Sequence, residues 1–346
     1  MKKDWKGWRE PLEAASMFLG AVLGAGFATG QEVLQYFARF GPSGLLGVTC
    51  VILLLWLLCR GVLSLSRNRA YPDLYAFLQT CCGPRLGALL HGIFVAFLFV
   101  VFGVMGSSLG ALSQEAWGWQ PVWGFALYVV GMMALLLRGE RGVTALFSVL
   151  TPMMAVGIVL LCLYALLTRD VAVFAGPAGL AQETGGALAS AVLYFGYNSI
   201  IGVSVLCTLA AQRGNPRWTA RVALLSAGGF GLCLLVLYGA LWAFYGQVAG
   251  LEIPVLYLAS LGGERMVRLY TVVALCAILT TGAGCGYVLD RSMGRSRLGL
   301  FVLCSGSVVF GACDFSFLVR YLYGLFGVLG LLLCGAVALR AIRERR

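Results

Sequence analysis

The feature that most constrains this chain is a series of apolar runs, each long enough to cross the hydrocarbon core of a bilayer. Hydrophobic residues occupy 60% of the 346 positions and charged residues only 11%, too few to cover a soluble surface. Because lipid offers no hydrogen-bond partners to bare backbone, each run is predicted to be an α-helix. We therefore expect an all-α polytopic membrane protein with about ten spans. The predicted spans are residues 12–38, 44–65, 86–113, 120–137, 143–167, 186–210, 218–245, 266–289, 297–313 and 317–339.

The distribution of positive charge predicts the orientation of these spans. With the N-terminus placed in the cytoplasm, 20 of the 25 Lys and Arg fall on the cytoplasmic side; the exceptions are Arg39, Arg169, Arg265, Arg268 and Arg320. This is the positive-inside bias, and it favours an even number of spans with both termini cytoplasmic. The net charge of +11 is thus expected to face anionic lipid headgroups of a bacterial-type inner membrane, not nucleic acid.

Three connections between the spans carry local signals. Residues 73–80 form an amphipathic stretch suited to the inner membrane surface. Residues 246–265 contain EIPVLYLASL, which predicts a short helix with Pro254 near its start. Residues 168–185 are rich in Gly and Ala and are interpreted as an outer connector or lid.

Ten spans divide into two sets of five. Because five is odd, the second set would cross the membrane in the opposite sense, which permits an inverted repeat. We predict a single transporter domain over residues 1–346, with one repeat at about 12–167 and the other at about 186–339. In such transporters, Gly- or Pro-interrupted helices at matching positions of the two halves mark the binding site.

The first span contains the string GAVLGAGFATGQE, residues 20–32. Several glycines together favour local unwinding, which at membrane depth is tolerated only against protein or a water-filled cavity. Freed carbonyls of the inner half-helix would suit a cation, and freed N–H groups of the outer half-helix would suit an anion. The alternative is close helix packing through small residues four apart. The candidate binding residues are Gly24, Ala25, Gly26, Phe27, Ala28, Thr29 and Gly30.

Glu32 favours the binding interpretation over simple packing. It follows the glycine-rich string directly, and an ionisable group within a span is costly enough to indicate function. The alternative is a Glu that only caps the outer half-helix.

The sixth span contains LYFGYNSIIGVS, residues 193–204. Its polar and aromatic cluster suits an apolar pocket with a few polar contacts, and its position matches the interruption of the first span. The alternative is an interhelical Asn hydrogen bond with aromatic packing. We predict a second helix break here, with Phe195, Gly196, Tyr197, Asn198 and Ser199 as candidate substrate-binding residues.

The eighth span contains AILTTGAGCG, residues 277–286. The adjacent hydroxyls of Thr280 and Thr281, with carbonyls from a broken helix, would supply the oxygen ligands that small hard cations require. The alternative is that both hydroxyls bond back to their own helix.

The string GAGFATGQEVLQYF, residues 24–37, resembles the opening helix of YkvI-type uncharacterised membrane proteins, and the resemblance extends over nearly the whole chain, YFGYNS included. These proteins are grouped with the amino acid–polyamine–organocation superfamily. The resemblance implies the LeuT-type fold of five plus five inverted helices, with helices 1 and 6 broken, and a substrate between helices 1, 3, 6 and 8. In sodium-coupled relatives an ion lies between helices 1 and 8; the matching positions here are Gly20, Leu23, Ala277, Thr280 and Thr281.

These observations predict a secondary transporter of a small organic solute, an amino acid or a related zwitterion or amine. No cofactor is expected, apart from a sodium ion if sodium is the coupling ion. Glu32 departs from the sodium-coupled neurotransmitter-type pattern, which leaves both sodium and proton symport open. The alternative is a nutrient-sensing receptor like the spore-germination permeases. An enzyme is not expected, since the chain has no HExxH motif and only one His, and an ATP-driven pump is not expected without a P-loop.

Overall fold

The computed structural model describes residues 2–69, 71–168, 184–209, 215–251, 253–294, 296–307, 309 and 323–343. Their regular structure is entirely helical. The helices are α1 (Lys2–Val22), α2 (Ala25–Thr29), α3 (Gln31–Tyr36), α4 (Gly44–Asn68), α5 (Leu74–Cys82), α6 (Pro84–Trp117), α7 (Pro121–Leu137), α8 (Gly139–Leu167), α9 (Thr184–Leu209), α10 (Pro216–Ala243), α11 (Tyr245–Val248), α12 (Pro254–Ser260), α13 (Gly263–Ser292), α14 (Arg297–Gly306) and α15 (Tyr323–Arg343).

The apolar helices make this an integral membrane protein. Among the described residues, seven helices are long and apolar enough to cross a bilayer: α4, α6, α8, α9, α10, α13 and α15. The shorter α7 and α14 fall within the predicted fourth and ninth spans, and the first span is divided into α1, α2 and α3. The count of ten spans, the cytoplasmic termini and the division into two inverted repeats stay predictions.

The bundle is organised around α9 and α13. In their most apolar stretches, 89% of α9 and 83% of α13 is buried inside the protein, against 28% for α15. Helix α9 packs on α4 and α15, whereas α13 packs on α6 and α8, and α1 contacts both central helices. The broken first helix therefore lies between the two most buried helices of the bundle.

Backbone-to-backbone packing joins α9 to α15. A Cβ on Gly196 would collide with the carbonyl oxygen of Gly327, and a Cβ on Gly330 would collide with that of Gly196. The hydroxyl of Ser199 lies 3.4 Å from the carbonyl of Gly330. Small residues permit this close approach of two membrane helices.

The predicted break in the sixth span is wrong, because α9 is continuous from Thr184 to Leu209. The predicted break at residues 195–199 contains one glycine, Gly196, and that residue packs on α15. Its polar side chains bond back to their own helix: Asn198 Nδ2 donates to the Tyr194 carbonyl (3.0 Å) and Ser199 Oγ to the Gly196 carbonyl (2.6 Å). Such bonds satisfy the side chains without unwinding the helix.

Two connecting helices follow the predictions for the loops. The predicted short helix in residues 246–265 is α12, which begins at Pro254. The amphipathic stretch 73–80 falls in α5, whose N-terminus is capped by Asp73 accepting from the Ala76 amide (2.9 Å). Helix α5 buries Leu74, Phe77 and Leu78 and packs on α6. The connector 168–185 and the predicted spans between residues 310 and 322 lie outside the described residues.

Candidate functional site

The first span is interrupted between Val22 and Ala25, as predicted. Gly24 has an extended backbone (φ −77°, ψ −174°), and its amide donates to the Val22 carbonyl (2.9 Å). A regular helix would direct that amide to the Gly20 carbonyl, so the break releases this carbonyl from its helical partner. The glycine-rich string therefore ends one helix and begins another inside the bundle.

A second interruption follows at Gly30, which adopts the left-handed conformation (φ 85°) that favours glycine. A Cβ on Gly30 would lie 2.9 Å from Val255 Cγ2 of α12, and Gln31 Nε2 donates to the Leu251 carbonyl (2.6 Å). The Thr29 hydroxyl donates to the Gly26 carbonyl (3.1 Å), which closes the short α2. Helix α12 thus covers the broken segment on the predicted outer side.

Glu32 lies in the first turn of α3 with only 2% of its surface exposed. Its carboxylate accepts a hydrogen bond from the Tyr197 hydroxyl of α9. Among the described residues, no Lys or Arg forms an ion pair with it. A carboxylate in this apolar setting requires neutralisation, by a proton or by a cation that binds beside it.

Tyrosine rings surround this carboxylate. The Tyr197 ring stacks on Tyr323 of α15 with centroids 4.3 Å apart and meets Tyr194 edge-on at 5.3 Å. Tyr36 of α3 lies 5.4 Å from Tyr194 and 6.1 Å from Tyr197. We call Tyr36, Tyr194, Tyr197 and Tyr323 the tyrosine cluster; its ring faces carry the negative quadrupole that attracts organic cations.

The candidate residues of α9 separate onto different faces of the helix. Tyr197 contacts Glu32, and Asn198 is buried with its Oδ1 unpaired. Gly196 and Ser199 contact α15 instead. Phe195 lines a cavity between α4 and α15. Of the five residues singled out in the sequence, only Tyr197 is in direct contact with the Glu32 carboxylate.

The candidate cation ligands are only partly brought together. Thr281 Oγ1 is buried and has no hydrogen-bond partner among the described residues, and a Cβ on Gly24 would lie 3.2 Å from it. The Thr280 hydroxyl instead donates to the carbonyls of Cys276 (2.8 Å) and Ala277 (3.2 Å) of its own helix. Thr281 is therefore the hydroxyl that faces the break.

Gly20 and Leu23, the two candidates on the first helix, are both deeply placed. Leu23 is fully buried next to the break. A Cβ on Gly20 would collide with Phe147 and Thr151 of α8, so this glycine also permits close packing between α1 and α8.

Two aromatic residues of the site were missed in the sequence. Tyr36 is four residues after Glu32, a spacing that places both on one helix face and was the available signal. Tyr323 lies nearly 300 residues from Glu32 along the chain, and no local pattern connects them. Only the packing of α15 on α9 brings Tyr323 into the cluster.

Polar contacts join the helix ends on the predicted cytoplasmic side. Arg291 of α13 donates to the Tyr287 hydroxyl (2.7 Å) and to the Pro72 carbonyl (2.5 Å), and it lies 3.9 Å from the Glu140 carboxylate of α8. Arg221 of α10 donates to the Gly7 carbonyl (2.6 Å). The broken helix is thus enclosed on this side as well.

The helical bundle, with its broken first helix enclosed between two buried helices, is similar to solved structures of the LeuT-type fold. The nucleobase-cation-symport-1 family transporter Mhp1, closed with bromovinylhydantoin bound, aligns with a TM-score of 0.61 and 13% identity, over 94% of this chain and 77% of that chain. MhsT in complex with L-phenylalanine aligns with a TM-score of 0.67 and 14% identity, over 94% and 88%. A Na⁺-coupled sialic acid symporter in a substrate-bound outward-open state aligns with a TM-score of 0.64 and 14% identity, over 96% and 78%.

The curated relatives are two Bacillus subtilis (strain 168) proteins. The chain is 22% identical to the uncharacterized membrane protein YkvI over 349 residues, which covers 96% of this chain and 97% of that protein. It is 25% identical to the uncharacterized protein YyaD over 346 residues, which covers 98% and 99%. No protein-family model matches the chain. The predicted resemblance to YkvI-type proteins is confirmed, and the solved neighbours named above include a symport-family transporter and a Na⁺-coupled symporter.

Proposed function

We propose that this protein is a secondary active transporter of a small organic solute that carries a positively charged nitrogen, an amino acid or a related amine. The observation that carries the proposal is Glu32, a buried carboxylate without a basic partner among the described residues, placed next to a helix break inside a membrane bundle. The fold neighbours include a nucleobase-cation-symport-1 family transporter and a Na⁺-coupled symporter, which supports the same class.

The chemistry around Glu32 favours an ammonium group as the part of the solute that binds there. A carboxylate supplies the opposite charge, and the tyrosine cluster supplies aromatic faces at the same place. Backbone N–H groups freed at Gly24–Gly30 would receive a carboxylate of a zwitterionic solute. An ammonium beside Glu32 would also neutralise the buried carboxylate, so binding of the solute would offset the cost of burying that charge.

We propose two alternatives for the coupling ion. It is either a sodium ion bound between α1 and α13 at the inner end of the break, or a proton carried by Glu32. The oxygen set for sodium would be the carbonyls of Gly20, Leu23 and Ala277 with the hydroxyls of Thr280 and Thr281. The released Gly20 carbonyl and the unpaired Thr281 hydroxyl support this set. The bonds of Thr280 to its own helix make it the weaker ligand candidate.

Alternating access would require the two closures to open in turn. On the outer side the contacts of α12 with α2 would separate, as would the bond from Gln31 to the Leu251 carbonyl just before α12. On the inner side the contacts of Arg291 with Glu140 and Pro72 would separate. Neither set contains the Glu32 carboxylate, so each side could open around the same bound solute.

The proposal is tested by combining binding and uptake in purified protein. A thermal-shift screen against amino acids and amines, with sodium and pH varied, identifies a ligand because binding to the folded state raises apparent stability. The same ligand, radiolabelled, is then offered to proteoliposomes with a sodium or proton gradient. Accumulation that the gradient drives supports transport. Binding without accumulation would instead indicate a receptor.

Thr281→Val is predicted to weaken sodium dependence, because it nearly keeps the shape of the side chain and removes the unpaired oxygen that faces Gly24. The half-saturating sodium concentration should rise about ten-fold, as expected for ~1.5 kcal/mol from one lost ligand bond to a charged group. Thr280→Val is the matched control and should change it much less. Equal sodium responses in wild type and Thr281→Val would remove sodium from this site and leave the proton as the coupling ion.

A further inference from the structure

A cavity of about 450 Å³ lies between α4 and α15. Phe195 of α9 is among its lining residues, and that side chain is 5% exposed. Its other lining residues are mostly apolar side chains of the two helices, chiefly Leu54, Leu57, Leu58, Val337, Ala338 and Ile342. Two of these, Leu57 and Ile342, are more than half exposed, so the cavity is an open groove on the lipid-facing surface.

One end of this groove is positively charged. Arg60 lines it, with its guanidinium carbon 5.0 Å from the centre of the Trp56 ring. Arg340 and Arg343 lie in the last turn of α15, next to the lining residue Ile342. The positive-inside bias places the C-terminal ends of α4 and α15 on the cytoplasmic side. The groove therefore has apolar walls within the membrane and basic side chains where the inner leaflet has its headgroups.

We propose that this groove is a binding site for an anionic phospholipid of the inner leaflet, with an acyl chain between α4 and α15 and the phosphate on Arg60. Basic pockets between membrane helices on the cytoplasmic side are suited to anionic headgroups. The guanidinium forms charge-assisted, bidentate hydrogen bonds with phosphate oxygens. The indole of Trp56 belongs at the membrane interface, where its amphipathic ring is stable.

The charge of the groove argues for a lipid over a second copy of this chain. The C-terminal end of α15 is itself basic, so a second copy that docked through the same surface would bring like charges together. An anionic phospholipid complements both the charged end and the apolar walls. It would also fill a concave space between helices, where unfilled volume forfeits packing contacts.

A lipid bound in the groove would contact the same helix that forms part of the proposed solute site. The groove residue Phe195 is flanked on α9 by Tyr194 of the tyrosine cluster and by Gly196, which packs on α15. An acyl chain against Phe195 would therefore touch the helix that carries Tyr197, the partner of Glu32.

The experiment uses full-length protein, depleted of lipid in detergent and titrated with phosphatidylglycerol or with phosphatidylcholine of the same acyl chains. Wild type should show a larger rise in melting temperature with phosphatidylglycerol. Arg60→Gln should weaken that binding about five-fold, which corresponds to the ~1 kcal/mol expected for one basic side chain near an anionic surface. Arg138→Gln, an exposed arginine of the predicted cytoplasmic side outside the groove, is the matched control and should bind like wild type.

A second variant tests the groove without changing charge. Ala338→Trp fills the space between α4 and α15 and should reduce the stabilisation by both lipids. An unchanged preference for phosphatidylglycerol in Arg60→Gln, or full lipid stabilisation of Ala338→Trp, would overturn the proposal. A disulfide-linked dimer formed efficiently through Ala338→Cys in native membranes would also overturn it, since a second copy would then occupy the groove. Because no readout involves solute, failure here leaves the transport proposal standing.

Discussion

Replacing Glu32 by Gln is expected to lower solute uptake by about two orders of magnitude while the folded protein stays in the membrane. Gln has nearly the same shape, and its amide oxygen can accept the hydrogen bond from the Tyr197 hydroxyl, so packing should be kept. What is lost is the negative charge. Removing one partner of a buried ion pair typically costs ~2–5 kcal/mol, and here the other partner would be the ammonium group of the solute or the coupling cation.

The measurement is initial uptake in proteoliposomes as a function of solute concentration and pH. Glu264→Gln is the matched control, because that carboxylate is exposed and pairs with Arg268 at 3.4 Å on α13. If Glu32 carries the coupled proton, Glu32→Gln should flatten the pH dependence of uptake. If it pairs with the solute, the variant should mainly raise the apparent substrate constant. Normal uptake with normal pH dependence would reduce Glu32 to a structural role.

Gly196→Ala is expected to destabilise the protein by about 3 kcal/mol, at the upper end for overpacking of a tight contact. The added methyl group would meet the backbone carbonyl of Gly327, which cannot move without displacing α15 as a whole. Because α9 carries Tyr197 and α15 carries Tyr323, the displacement should also disturb the tyrosine cluster.

The loss is measured as a fall in the melting temperature of the detergent-purified protein and in its monodisperse yield. Gly335→Ala on α15 is the matched control, since a Cβ there would meet nothing within 4 Å. That change should be neutral or slightly stabilising, because Ala is the better helix former. If both variants melted at the same temperature, the close approach of α9 and α15 would not be a source of stability.

The sequence alone predicted the seven long apolar helices of the described residues and the place where the first predicted span breaks. Long uncharged runs have one stable form in lipid, so their helical state follows directly from the absence of competing hydrogen-bond partners. The break at Gly24 and Gly30 was predictable as well, because consecutive small residues weaken a helix and Gly30 tolerates a left-handed backbone. From the cost of burying its charge, Glu32 was also predicted to be functional, and that role stays a prediction.

Tertiary structure decided that the sixth span is a continuous helix. The segment 194–199 contains groups that serve a broken helix and a continuous one equally well, since Asn and Ser can bind a ligand or their own backbone. The packing of Gly196 against α15 settles the choice, and no local pattern encodes a partner more than 100 residues away. The same packing separates Phe195 and Ser199 from Tyr197 and places Tyr323 beside it.

The two threonines of α13 were separated in the same way. Thr280 and Thr281 are chemically equivalent neighbours in the chain, and the sequence distinguishes neither as the ligand candidate. Adjacent helical residues point about 100° apart, so only one of them can face a given neighbour. The position of the broken helix against α13 leaves Thr281 facing Gly24, while Thr280 bonds to its own carbonyls. Two adjacent threonines therefore differ in role because packing over the whole bundle sets the rotation of α13. The spacing of residues in the sequence does not specify that rotation.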